Sequence, residues 1–250
     1  MSNSPKIYFA SDFHLGVPSH QASLEREKRI CRWLDLVKQD ASEIYLLGDL
    51  FDFWFEYHDV VPKGFPRFMG KIAEITDSGI PVTVFKGNHD MWTFGYLEQE
   101  LGVKVVSDEL IIERSGKKFY LHHGDGLGPG DKGYKWIRWF FRSRFAIGLF
   151  GFLHPRIGAG FAKFLSRRSR IQNAGADKIY LGDDKEYITL FCREMLRHTH
   201  YDYFICGHRH LPLDIRLNEN SRYINLGEWV NDFTYAEFNG TTLELKVFNS

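Results

Sequence analysis

Short apolar runs that end in glycine, asparagine or aspartate recur along the chain. "KIYFASD" (residues 6–12), "EIYLLGD" (43–49), "PVTVFKGN" (81–88), "KKFYLHHGD" (117–125) and "YFICGH" (203–208) are of this kind. Runs of that length, bounded by turn residues, predict buried strands. Helical spacing fills the gaps between the first three. Leu24, Ile30, Cys31, Leu34 and Val37 share one face of a predicted helix, and Phe65, Phe68, Met69, Ile72 and Ile75 share a face of the next. Gly79 and Pro81 supply the stop. Strands alternating with helices imply βαβ units and a largely parallel sheet, so the fold class is α/β. The C-terminal pattern changes: Asn239-Gly240 stands between two alternating runs, which predicts a hairpin and hence antiparallel strands in the same fold. No fixed-period repeat interrupts this order.

Polar residues of metal-ligand type follow the predicted strands. Asp12 and His14 follow the first, Asp49 the second, and Asn88, His89 and Asp90 the third. His123 follows the fourth, with His208 and His210 after the fifth. In open α/β sheets, ligands bind outside the carboxyl ends of the strands, so five loops converge on one edge. One such residue alone is an ordinary turn residue. Carboxylates and imidazoles crowded at a partly buried edge are costly without compensating charge. Two divalent cations would supply it, and mixed carboxylate, imidazole and amide donors suit Mn, Fe or Zn better than Ca. Two such metals about 3.5–4 Å apart can promote in-line attack on phosphorus.

The blocks "DFH", "GDLFD", "GNHD", "HGD" and "GHRH", in this order, resemble the signature of the calcineurin-like metallophosphoesterases. The resemblance implies a sandwich of two central mixed β-sheets flanked by helices. It implies that Asp12, His14, Asp49 and His210 hold one metal, and that Asp49, Asn88, His123 and His208 hold the other, with Asp49 shared. Mn²⁺ is the expected ion at both. It also implies that His89 faces the substrate phosphate and protonates the leaving group, and that Asp90 orients His89. "LHHGD" offers two histidines on opposite strand faces; the family block selects His123 and leaves His122 a supporting role.

Overall composition adds little: 44% hydrophobic, 26% charged and no formal net charge. Three scattered cysteines, Cys31, Cys192 and Cys206, form no disulfide framework and fit a reducing cytosol. The first residues lack the pattern of a secretory signal. The zero net charge hides a polarised chain. Residues 131–170 carry ten basic residues, ten aromatics and a single acid, Asp131. They include "WIRWFFRSRFAIGLFGFLHPRIGAGF" (136–161), whose longest uncharged run, 145–155, is far short of the ~18–20 residues that span a bilayer.

Within the superfamily the chain is most similar to the UDP-2,3-diacylglucosamine pyrophosphatases of lipid A synthesis. "GDLFDFWFE", the basic aromatic insertion after "HGD", and "DKGY" with Asp131 and Tyr134 carry that resemblance. His89 stands where many of those enzymes have arginine. The resemblance implies cleavage of the acylated sugar nucleotide to UMP and 2,3-diacylglucosamine 1-phosphate. Substrate contacts would come from Asn88, His89, Asp131, Tyr134 and His208. It implies a phosphoesterase core at 1–126 and 171–250 with a helical cap at 127–170. A cap so apolar and basic would receive acyl chains and rest on anionic lipid at the inner face of the inner membrane. The competing reading of the segment is a core helix with snorkelling arginines. The competing enzyme is a phosphodiesterase or nuclease of the same superfamily, gripping single strands with basic and aromatic groups; the abundance of Phe, Ile, Leu, Ala and Gly favours hydrocarbon, and no stable nucleic-acid partner is expected. A scaffold without catalysis would lack ligands, and none is missing.

Overall fold

A computed structural model describes residues 5–129, 132–161, 179–182 and 184–249. Two mixed sheets lie face to face. The first runs β11-β10-β1-β2-β3-β4, built from β1 (Lys6–Ala10), β2 (Ala41–Leu46), β3 (Val82–Phe85), β4 (Lys104–Val106), β10 (Thr234–Phe238) and β11 (Leu243–Val247). The second runs β5-β6-β7-β9-β8, built from β5 (Leu110–Arg114), β6 (Lys117–His122), β7 (Tyr203–Cys206), β8 (Pro212–Arg216) and β9 (Arg222–Leu226). Strands β1 to β4 are parallel, as are β6, β7 and β9, while β10 joins β1 antiparallel and continues into the hairpin partner β11. The five strands expected from the apolar runs are β1, β2, β3, β6 and β7. The hairpin turns at Asn239, whose side chain accepts from the amides of Thr241 and Thr242 at 3.0 and 2.9 Å.

Strand alternation builds the layers. Ile7, Phe9, Tyr45 and Leu47 point between the sheets and meet Phe119, Leu121, Ile205 and Ile224 from the other side. The alternate residues Tyr8, Ala10, Ile44 and Leu46 point outward to α1 (His20–Val37) and α2 (Pro66–Asp77). On the far face, Tyr120, Phe204 and Cys206 lie under Ile188 and Cys192 of α7 (Tyr187–Leu196). Each large side chain buried in these layers contributes roughly 1.5–3 kcal/mol.

The face of α1 differs in detail from the expected one. Trp33 is fully buried with Ile30, Leu34 and Val37, while Leu24 and Cys31 are only half-buried. Arg26 and Glu27 take inward positions because both are satisfied. Arg26 donates to the carbonyls of Phe13, His14 and Val17, and Glu27 accepts from the amides of Arg67 and Phe68 at the start of α2. Ser19 caps α1 by accepting from the amide of Ala22, and α3 (Tyr96–Leu101) fills the step between β3 and β4.

After β6 come α4 (Lys132–Phe141), α5 (Arg144–Gly151) and helical residues 155–161, designated α6. Phe150, with Phe141, Ile147 and Ala159 beside it, packs on Phe53, Phe55 and Trp92 of the core loops. The indole of Trp92 donates to the carbonyl of Phe141 at 2.9 Å.

Candidate metal centre

The loops that follow β1, β2, β3, β6 and β7 meet at one end of the two sheets. Asp12, His14, Asp49 and His210 bring one ligand atom each into a group whose atoms lie within 4.8 Å of one another. Asp49, His123 and His208 form a second such group. Asp49 belongs to both, with Oδ2 3.9 Å from His14 Nε2 and Oδ1 3.6 Å from His123 Nε2. In the first group His210 Nε2 stands 2.9 Å from His14 Nε2 and 3.2 Å from Asp12 Oδ1. Asn88 completes the second: its Oδ1 is 3.1 Å from His123 Nε2 and 2.8 Å from His208 Nδ1.

These atoms suit a cation. Asp12 Oδ1 and Asp49 Oδ2 are buried and accept no hydrogen bond among the described residues, an expensive state for a carboxylate oxygen unless positive charge sits beside it. His123 Nδ1 is 2.7 Å from the carbonyl of Leu47. A proton donated there leaves a lone pair on Nε2, which faces another acceptor, Asn88 Oδ1. Backbone carbonyls commonly orient metal-binding imidazoles in this way. Without a cation, a proton is the substitute: burial opposes it on His123, but the charges of Asp49, Asp12 and Asp125 lift that imidazole to about 9. Burial, reinforced by His123, drops His208 to about 3. Burial pushes Asp49 up. It pushes Asp12 up too, but His210, His123 and Ser11 together outweigh it and hold that carboxyl below its usual range.

Local backbone shape makes the convergence possible. Asp12, His14, Asp49, His208 and His210 all have φ between 44° and 67°, the left-handed region that ordinary residues avoid. A side chain on Gly87 would collide with Asp49, and one on Gly207 with Asp12. Those two glycines let the loops after β3 and β7 touch their neighbours.

The sequence model of the calcineurin-like phosphoesterase family matches residues 5–212. The chain belongs to the calcineurin-like phosphoesterases. It is 40% identical to a protein of Porphyromonas gingivalis named UDP-2,3-diacylglucosamine hydrolase, over 96% of this chain and 97% of that one. It is 27% identical to a protein of the same name from a Shewanella species, over 90% and 89% of the two chains. Among solved structures, the phosphoesterase Yfce from E. coli aligns with a TM-score of 0.46 and 15% identity, covering 93% of this chain and 87% of that one. The phosphoesterase is therefore a hydrolase of a family that works with divalent metals, and its donor set fits that chemistry.

The sequence leads us to expect that Asp90 orients His89. Its buried carboxylate accepts from the amides of Gly87 and Leu50, both at 2.7 Å, and of Asp49 and Phe51 at 3.3 and 3.4 Å. It knits the loop after β3 to the loop that presents Asp49, and burial followed by the Asp49 charge raises it to about 6. The residue beside the His89 ring is Asp52: His89 Nδ1 lies 2.9 Å from its carbonyl and 3.7 Å from its Oδ1. Asp52 closes the "GDLFD" block three residues beyond Asp49, which is the signal that could have found it. His89 itself is half-buried at the rim, with Nε2 3.9 Å from Asp49 Oδ2.

His122 points away from this cluster. It lies beside Tyr120, accepts from the amide of Gly124 at 2.8 Å, and burial drops it to about 4, so it stays neutral. Asp131 lies outside the described residues, as does the side chain of Tyr134. The described part of α4 is tied to the site at Arg138, whose Nε is 2.7 Å from the buried carboxylate of Asp125, two residues past His123. Burial would raise Asp125, but His123, His208 and Arg138 hold it at about 2. Asp108 holds the outer end, pairing with Arg138 at 3.3 Å and Arg142 at 2.6 Å.

The outward face of the described helices between residues 132 and 161 is apolar. Trp136, Trp139, Phe145, Leu149, Ile157 and Phe161 are all more than half exposed, and Phe152 is 92% exposed. Among the described residues no helix is long and apolar enough to cross a membrane.

Proposed function

We propose that this phosphoesterase hydrolyses the pyrophosphate of UDP-2,3-diacylglucosamine to UMP and 2,3-diacylglucosamine 1-phosphate, with Mn²⁺ as its metal. The observation that carries the reading is the pair of donor groups sharing Asp49, with the apolar, basic helices α4 and α5 packed on the adjoining loops at Phe53, Phe55, Trp92 and Asp125. The names and near-full coverage of the relatives support the same substrate.

Asp12, His14, Asp49 and His210 would hold one ion, and Asp49, Asn88, His123 and His208 the other. Bound there, the ions supply Lewis acidity toward phosphoryl oxygens and toward water. The chain's own residues do the rest. Asp49 keeps the two groups in register. Asp90 fixes the backbone around Asp49 and Asn88. His89, with Nδ1 turned to Asp52, presents Nε2 toward the phosphate and holds the proton that the departing phosphate needs. Asn88 and His208 would also contact the phosphate, and Asp131 and Tyr134 the substrate as it enters under the cap.

We assign residues 127–170 to the cap and 1–126 with 171–250 to the core. Contiguous apolar surface of this kind marks an interaction site. Its place beside Arg144 and Arg156 suits a peripheral position on anionic lipid, facing the cytoplasm at the inner membrane.

A substrate panel with purified protein and Mn²⁺ tests the proposal: the acylated sugar nucleotide, an aryl phosphodiester and single-stranded DNA. The acylated nucleotide should be turned over with the highest kcat/KM and yield UMP. Preference for DNA, falling steeply with salt, would replace this reading with the nuclease.

A further inference from the structure

The loop between β7 and β8 holds two histidines in a demanding shape. His208 and His210 have φ of 67° and 50°, and Arg209 stands between them with its amide donating to the carbonyl of Gly207 at 2.8 Å. On one side the loop is tied to the catalytic core. The amide of His208 donates to Asp12 Oδ2 at 3.0 Å, and Asn225 Nδ2 donates to the carbonyl of Gly207 at 2.6 Å. On the other side the tie is the Arg209 side chain. Its Nε and Nη2 meet the two oxygens of Glu186 at 3.0 and 3.1 Å. The pair is well inside the protein, with side-chain exposure of 4% at Glu186 and 16% at Arg209. A two-point fork of this kind fixes direction, which a lysine ammonium does not.

The same two groups hold the chain as it returns from the insertion. Arg209 Nη2 donates to the carbonyl of Ile179 at 2.6 Å, and Glu186 accepts from the amide of Leu181 at 3.0 Å. Glu186 also stands at the N-cap of α7, whose Ile188 and Cys192 are locked into the core. One ion pair thus joins the histidine loop, the return segment at 179–181 and the start of a core helix.

We propose that Arg209 is a positioning residue: by clamping the loop through Glu186 to α7 and the return from the cap, it sets His208 and His210 for metal binding. The inference deepens the proposed function and rests on its assignment of these two histidines as ligands. A turn with two left-handed residues in three has no strand ladder to hold it, so its shape depends on what grips it from outside. Groups that hold ligands without touching metal typically change affinity or activity by about 10–100-fold when removed.

The test uses the full-length protein, with Mn²⁺ binding measured by isothermal titration calorimetry. It adds the melting temperature without metal, and kcat and KM on a small aryl phosphodiester. Arg209→Met and Glu186→Gln should each weaken Mn²⁺ binding by about 10–100-fold. They should lower kcat at fixed sub-saturating Mn²⁺, with KM for the diester little changed. Arg209→Lys keeps the charge and loses the fork, so it should lie between them and wild type. If Arg209→Met does not fold, Arg209→Lys and Glu186→Gln decide the matter. Folded variants that melt lower but bind Mn²⁺ as tightly as wild type would reduce the pair to a structural prop and overturn the inference. A wild-type protein that fails to bind two Mn²⁺ ions would instead sink the ligand assignment of the proposed function.

Discussion

The metal loops and the cap are both joined to the same sheets, yet they are held in opposite ways. The loops are fixed from many directions: amides donated to Asp90, glycines pressed against carboxylates, imidazoles tied to carbonyls. The described helices of the proposed cap are held at points such as the Arg138–Asp125 and Arg142–Asp108 pairs, the Trp92 indole and the ring cluster around Phe150. Trp136, Trp139, Phe145, Phe152 and Phe161 face outward. Catalytic chemistry needs precise placement, and a displacement of about 1 Å can cost about 10²-fold. Receiving hydrocarbon chains, the role proposed for the second region, needs area and tolerance. The two regions should therefore fail differently when changed.

The largest effect should come from Asp49, the atom pair common to both donor groups. Asp49→Ala should abolish hydrolysis of every substrate and release most of the bound metal, read by elemental analysis of the purified variant. Retention of two ions with lost activity would show that Asp49 does not bridge. His89→Ala is next. It should lower kcat by about 10²–10⁴-fold on lipid and diester alike, the usual contribution of a general acid, while metal content stays near wild type. A parallel fall in metal content would move His89 into the ligand set.

Below these come the outward aromatics. Changing Trp139, Phe145 and Phe152 to Ser removes exposed apolar surface and no core contact. Use of the acylated substrate and binding to anionic vesicles should drop about tenfold, since each side chain that meets lipid is worth roughly 1.5–3 kcal/mol at full burial. Hydrolysis of a small diester should hold steady, and circular dichroism should show the fold intact. Phe141 and Phe150 would blur that comparison, because they pack on Trp92 and their loss strikes the fold as well. In activity terms the smallest effect belongs to Arg138→Gln. It removes one partner of the buried Asp125, a loss at or below the low end of the roughly 3–5 kcal/mol measured for fully buried pairs. The melting temperature should fall while the diester kcat changes only a few-fold. A collapse of diester activity would mean that the cap organises the metals themselves.

The sequence made one of these regions far more legible than the other. Asp12, His14, Asp49, Asn88, His123, His208 and His210 could be marked because they follow apolar runs, which puts them past the carboxyl ends of the strands, and because their blocks resemble the family signature. What could not be read was partnership. Asp90 follows His89 in the chain, but its carboxylate is drawn to four amides of loops brought close only by the fold. Asp52 reaches His89 for the same non-local reason. Strands β5 and β8 escaped notice because exposed residues break the apolar run, as Glu113 and Asp214 do, and β9 because the buried Asn225 interrupts its own. In the cap, the density of cations and rings marked the segment. Which rings turn inward depends on Phe53, Phe55 and Trp92, eighty and more residues earlier in the chain for the first two.

The left-handed backbone at five metal-loop residues has a consequence for anyone who redesigns this protein. Glycine is the residue that those dihedrals favour, so a search guided only by thermal robustness would be rewarded for writing glycine at positions 12, 14, 49, 208 and 210. Each such exchange would relieve one backbone dihedral and delete a donor atom. Relief of backbone strain and retention of ligand atoms thus pull in opposite directions at the same five positions.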